Sequence, residues 1–129
     1  MSDDATFDVG VGKRKQVIGE EYVDRAFENA TDFDRDWQRL LTQYCWGEVW
    51  GGSALSDKQR SLQNLCLLAA LNRQTEFELH FRGALRNGAS REELRETLTQ
   101  IAVYAGVPAG VEAFRIARRV LDEQDAAEA

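Results

Sequence analysis

The chain is short of several residue types, and each shortage excludes something. Its 129 residues include one proline and one histidine. A lone proline among long runs of helix formers argues against an all-β fold. A lone histidine, His80, leaves one obvious group for acid–base chemistry near neutral pH. The two cysteines, Cys45 and Cys66, lie 21 positions apart in apolar stretches. With no CxxC and no Cys/His spacing, neither a zinc centre nor a dithiol redox centre is indicated. The two thiols read as small hydrophobes. No apolar run approaches the ~20 residues of a membrane span. The acidic start, MSDDATFDVG, lacks the apolar stretch of a signal peptide. Lys and Arg number 16 against 22 Asp and Glu, a net charge of −6, which argues against nucleic acid or an anionic membrane surface as partner. A phosphate-cradling glycine loop, a GxSxG motif and metal-ligand spacing are all missing. The expectation is a soluble, cytoplasmic protein with no metal and no cofactor.

What is present is helical periodicity. Residues 1–10 read as a flexible leader, residues 11–122 as a single helical domain and residues 123–129 as a polar tail. Val17, Ile18, Tyr22, Val23, Ala26 and Phe27 recur at helical spacing, although Gly19 weakens that helix. Phe33, Trp37, Leu40, Leu41, Tyr44 and Cys45 form an apolar stripe to about Gly47, followed by a glycine-bearing connection over 47–54. Ser56 with Gln59, Thr75 with Glu78 and Ser90 with Glu93 are three capping boxes, each opening a helix. The first of these helices is apolar almost all round, so it should be central or buried in an oligomer. The second stops at Asn87-Gly88, and Pro108 opens the last. These segments predict an all-α bundle of about six helices.

Three clusters are candidates for chemistry. His80 shares its apolar stripe with Phe77, Phe81 and Ala84, and Glu76 precedes it by one turn. A carboxylate there can orient an imidazole. The competing reading is a core or interface histidine satisfied by a backbone carbonyl. Arg82 and Arg86 follow at i, i+4, as a fork for a carboxylate or as a solvated or ion-paired helix face. Trp46, Glu48 and Trp50 cluster in YCWGEVW. Large aromatics beside small residues line pockets or close a core over a helix end, and Glu48 is a candidate acid or base.

Five stretches together resemble one family: GEEYVDRA (19–26), YCWGEVW (44–50), LSDKQRSL (55–62), HFRGALRNG (80–88) and YAGVPAGVEAFRIA (104–117). They resemble gamma-carboxymuconolactone decarboxylases of the alkylhydroperoxidase D-like superfamily, over roughly residues 11–122. The resemblance implies a homo-oligomer, a hexamer or trimer, acting in protocatechuate breakdown through the beta-ketoadipate pathway. It implies cofactor-independent conversion of a dicarboxylate lactone, gamma-carboxymuconolactone, to 3-oxoadipate enol-lactone. His80 would then deliver a proton, oriented by Glu76 or Glu48; Arg82 or Arg86 would hold carboxylate; Trp46 and Trp50 would wall the pocket. The superfamily's redox members carry CxxC ahead of the histidine, where this chain has Arg73 and Glu76, and a Glu where it has Ser61. Without paired thiols a peroxidase reading fails on chemistry. One departure concerns substrate: relatives usually continue after Trp50 with X-Arg-Pro-Gly-Leu, and this chain has Gly51-Gly52-Ser53-Ala54-Leu55. A related decarboxylase or hydrolase of another acid is the alternative, and a non-catalytic helical oligomer is the second.

Overall fold

Helix-forming composition and local capping decide this architecture. The computed structural model describes residues 2–129, and among them all regular structure is helical. The helices are α1 (Asp3–Ile18), α2 (Glu20–Glu28), α3 (Arg35–Leu41), α4 (Asp57–Ala70), α5 (Gln74–Arg86), α6 (Arg91–Ala105) and α7 (Val107–Glu128). A π-helical segment, Thr42–Val49, continues α3. The all-α expectation holds. The chain forms two compact units, the first ending at Asp57 and the second running Lys58–Ala129, where the sequence suggests one domain over 11–122.

In the first unit the expected leader over 1–10 is helix from Asp3 onward; Met1 lies outside the described residues. The Ser2 hydroxyl accepts from the Ala5 N–H at 3.1 Å, and Asp3 and Asp4 complement the helix dipole. What holds this helix is close approach of backbones. A Cβ on Gly10 would lie 2.1 Å from the Thr42 carbonyl oxygen, and one on Gly47 2.3 Å from that of Thr6. The single helix expected over 12–29 is divided at Gly19, whose φ of 100° ends α1 and starts α2. The stripe headed by Phe33 is helical from Arg35 onward, with Phe33 itself in the turn before α3, and it is not buried within the chain: Phe33 is 98% exposed, and Trp37, Leu40 and Tyr44 are also exposed. The connection expected from residue 47 begins only after Val49.

In the second unit Leu65, Phe77, Phe81, Leu98, Ile101 and Val120 are central to a core drawn from α4 to α7. The Ser90 capping box is present in full: the Ser90 hydroxyl accepts from the Glu93 N–H at 3.0 Å, and the Glu93 carboxylate accepts from the Ser90 N–H at 2.9 Å. The Thr75 box is not. Arg73 precedes α5 and makes no side-chain cap, which places Thr75 inside the helix. Glu78 instead accepts from Arg82 and Arg119. The expected polar tail over 123–129 is the end of α7. Ion pairs hold it: Arg82 to Glu123 at 2.7 Å and Arg91 to Asp125 at 2.5 Å. Hydropathy does not register such contacts. α4 is less enclosed than its composition suggests, with Leu65 fully buried but Leu67 exposed, as is Leu71 just past its end.

The glycine contacts predict opposite outcomes for neighbouring substitutions. Gly10→Ala should destabilise by roughly 1–3 kcal/mol, because its new methyl meets backbone. Gly12→Ala, with nothing within 4 Å, should stabilise by about 0.5–1 kcal/mol through helix propensity. Denaturant midpoints of the two variants against the parent check this; equal shifts would show that α1 does not make the close approach.

Candidate active site

α5 carries its chemistry on two faces. Phe77, Phe81 and Ala84 are buried, and their spacing draws His80 inward with them, to 9% exposure. Burial pushes the imidazole down to about 4, against a smaller upward pull from Glu76 one turn earlier. His80 is therefore neutral at physiological pH. Glu76 is exposed at the start of the helix, the position from which its charge reaches the ring.

Arg82 follows His80 by two residues, about 200° around a helix, so the two side chains leave α5 on different faces. Its guanidinium donates to Glu78 at 3.1 Å and to Glu123 of α7 at 2.7 Å, and Glu78 also accepts from Arg119. Those carboxylates, Glu123 foremost, push Arg82 above the usual guanidinium range. Arg86, one turn further on, is pushed the other way by burial and by the positive charge of Arg82. The two arginines line one groove of about 480 Å³ with Leu85, Val120, Glu123, Gln124 and Ala127. The structure thus brings Arg82 and Arg86 together, and His80 with Glu76, as two separate pairs on one helix.

In the first unit Trp46 and Trp50 are both 5% exposed and stack with ring centroids 4.9 Å apart at 25°. Their i, i+4 spacing lies within and just beyond the π segment, where the Trp50 N–H donates to the Cys45 carbonyl five residues back at 3.0 Å. Glu48 is exposed. It is not held between the two rings as the sequence suggests: midway between stacked residues, it leaves the helix on the other side. π-helical turns are rare and concentrate at functional sites, and no residue pattern in the sequence marks this one.

The thiols are unsuited to redox chemistry. Burial pushes both Cys45 and Cys66 up, so both are protonated at neutral pH. Buried Ser61 accepts from the Asn87 side-chain amide at 2.9 Å, a neutral pair. Among the described residues no three His, Cys, Asp or Glu side chains converge as a metal site would require. Among the same described residues no helix is long and apolar enough to cross a membrane.

Known proteins are similar to this chain over most of its length. The carboxymuconolactone decarboxylase family profile matches residues 35–119. A nitrosuccinic acid decarboxylase of Metarhizium robertsii is 41% identical over 95% of this chain and 92% of that protein. A 4-carboxymuconolactone decarboxylase of Acinetobacter baylyi is 36% identical over the same shares. A second 4-carboxymuconolactone decarboxylase, from Pseudomonas putida, is 31% identical over 37% of the chain and all of its own length.

Burial of His80 gives a stability signature. The unfolded chain binds a proton there near pH 6.5 and the folded chain only near 4. Folding is therefore penalised progressively as pH falls through that window, by roughly 2–4 kcal/mol in full. Above pH 6.5 the penalty is absent. His80→Gln should remove it, so the stability difference between variant and parent should shift towards the variant between pH 6.5 and 4. A difference that stays flat in urea titrations across that range means His80 is not buried neutral.

Proposed function

Because the chain belongs to the carboxymuconolactone decarboxylase family and is a carboxy-lyase, we propose that it decarboxylates a small dicarboxylic acid carrying its own electron sink, with gamma-carboxymuconolactone the first candidate. Loss of carbon dioxide from the ring carbon gamma to the lactone carbonyl leaves an electron pair. That pair runs through the ring double bond to the carbonyl oxygen. Protonation of the resulting dienolate alpha to the carbonyl gives 3-oxoadipate enol-lactone. The substrate accepts the electrons, so the protein has three tasks: fix a dianion, stabilise charge developing on oxygen, and deliver one proton.

The observation that carries this reading is the buried, neutral His80 beside Glu76. In the free protein burial holds the imidazole uncharged. A bound dianion reverses that balance, since nearby negative charge favours the imidazolium. Substrate binding then takes up a proton, and this is the proton delivered to carbon. Glu76 keeps the ring basic and oriented. Carboxylate binding is assigned to the groove that Arg82 and Arg86 line, with Arg86 the residue at which burial and the charge of Arg82 both favour an incoming anion. The Trp46–Trp50 pair is a stacked, buried aromatic element of the first unit and is given no contact with the acid in this reading. Glu48, exposed, is assigned no proton transfer. The exposed Phe33, Trp37, Tyr104 and Val107 support assembly as a homo-oligomer. A cytoplasmic location and a place in protocatechuate breakdown complete the reading.

A second substrate is favoured by two observations: the 41% identity to the nitrosuccinic acid decarboxylase, and Gly52 where an Arg is usual after Trp50. Nitrosuccinate fits the same logic, with the nitro group taking the electron pair as a nitronate. Carbon dioxide release from both acids by the purified chain decides between them. His80→Gln should lose on the order of 10²-fold or more in kcat with its helical content intact. Arg86→Ala should raise KM about tenfold or more, with Lys restoring part. Turnover of neither acid, or His80→Gln within a few-fold of the parent, sinks the proposal.

A further inference from the structure

The change from α to π winding in the first unit has a buried cation set against it. Arg14, in α1, is 4% exposed. Its Nη1 donates to the Gln38 side-chain oxygen at 3.0 Å and to the Thr42 hydroxyl at 3.2 Å. The Thr42 hydroxyl in turn donates to the Gln38 carbonyl at 2.7 Å. The guanidinium also lies 5.6 Å from the centre of the Phe27 ring in α2. One side chain thus grips α2, the end of α3 and the first residue of the π segment.

Its partners are neutral. Among the described residues no carboxylate pairs with Arg14, and no acceptor meets its buried Nε. Burying a cation without a counter-charge costs several kcal/mol. Packing alone does not call for it, since an apolar side chain of the same length would fill that space without the penalty. What an apolar side chain cannot do is hold Thr42, where ordinary winding gives way to the wider turn. Trp46 lies four residues beyond Thr42 and Trp50 four beyond that. A backbone reverting to α winding at Thr42 would rotate both indoles relative to α1.

We propose that Arg14 is a positioning residue for the indole pair of the first unit, fixing through Thr42 and Gln38 the backbone transition that stacks Trp46 on Trp50. This effect on the two indoles does not depend on the decarboxylase reading above. Arg14 itself touches no substrate in this proposal.

Two indoles stacked this closely couple as excitons and give a bisignate circular-dichroism couplet, isolated as the difference between the parent and Trp46→Phe. Arg14→Leu should abolish the couplet and Thr42→Val should cut it by about half, while Arg14→Lys, which keeps a donor, should retain most of it. A merely structural Arg14 would lower the melting temperature and leave the couplet of the folded protein unchanged. If Arg14→Leu does not fold, Thr42→Val decides alone. An unchanged couplet in Thr42→Val, or none in the parent, overturns the proposal. The couplet is read without substrate, so failure to turn over either acid leaves this test standing.

Discussion

The first unit depends on two backbones touching. Gly10 and Gly47 leave no room for a side chain, and the carbonyl oxygens of Thr42 and Thr6 occupy the space where Cβ atoms would stand. Much follows from that contact. α1 has to be formed as early as Thr6, which is why the N-terminal residues are helix. Arg14, one turn after Gly10, necessarily meets the same segment and is carried out of water with it. The segment itself winds with hydrogen bonds to the fifth residue back, so the indoles of Trp46 and Trp50 come to lie over one another on its buried side.

The second unit is organised by the two faces of α5. One face is set by hydrophobic burial, and it takes His80 out of water as a passenger of Phe77 and Phe81. The other is set by charge: Arg82 and Arg119 are matched against Glu78 and Glu123. Exposed ion pairs of this kind contribute little individually, but as a connected set they fix the direction of Arg82 and tie α5 to the end of α7. The proposed dianion would approach an acidic chain, of net charge −6, against its field. The field is screened beyond about 8–10 Å, so the local matching of charge matters more than the total. A guanidinium already shared between two carboxylates has little left for a substrate.

The helical class, the break before α3, the Ser90 capping box and the burial of His80 were legible because each is written in local spacing. Three features were not. Thr75 and Glu78 match a capping box in spacing, but Glu78 has stronger partners in Arg82 and Arg119, which are distant in sequence or on the next turn. The tail reads as solvated because its ion pairs with Arg82 and Arg91 are long-range. The stripe from Phe33 to Tyr44 has the right period and remains exposed; period reports which residues share a face, not whether that face is covered. Of the candidate residues, the pairing of Trp46 with Trp50 and of His80 with Glu76 could be read from i, i+4 spacing. The exposure of Glu48 could have been read too, since a residue midway between stacked neighbours leaves the helix on the other side.

Reaction class and substrate choice rest on different residues here. Decarboxylation needs an electron sink, which the substrate brings, and a proton, which a buried histidine can take up as the dianion arrives; both are independent of the loop after Trp50. Choice of substrate depends on where a cation meets the carboxylate that is not lost. In this chain that loop, Gly51-Gly52-Ser53-Ala54, is exposed and carries no charge, and the buried cation of the first unit, Arg14, is spent on Gln38 and Thr42. In the proposed reaction the retained carboxylate is met from α5. A cation on a helix is held more rigidly than one on a loop, and it meets its anion at a distance set by the helix rather than by the substrate. A shorter, more flexible dicarboxylate can adjust to that fixed distance more readily than a rigid lactone ring. This is the physical reason to set an open-chain acid beside the lactone as a substrate for this protein.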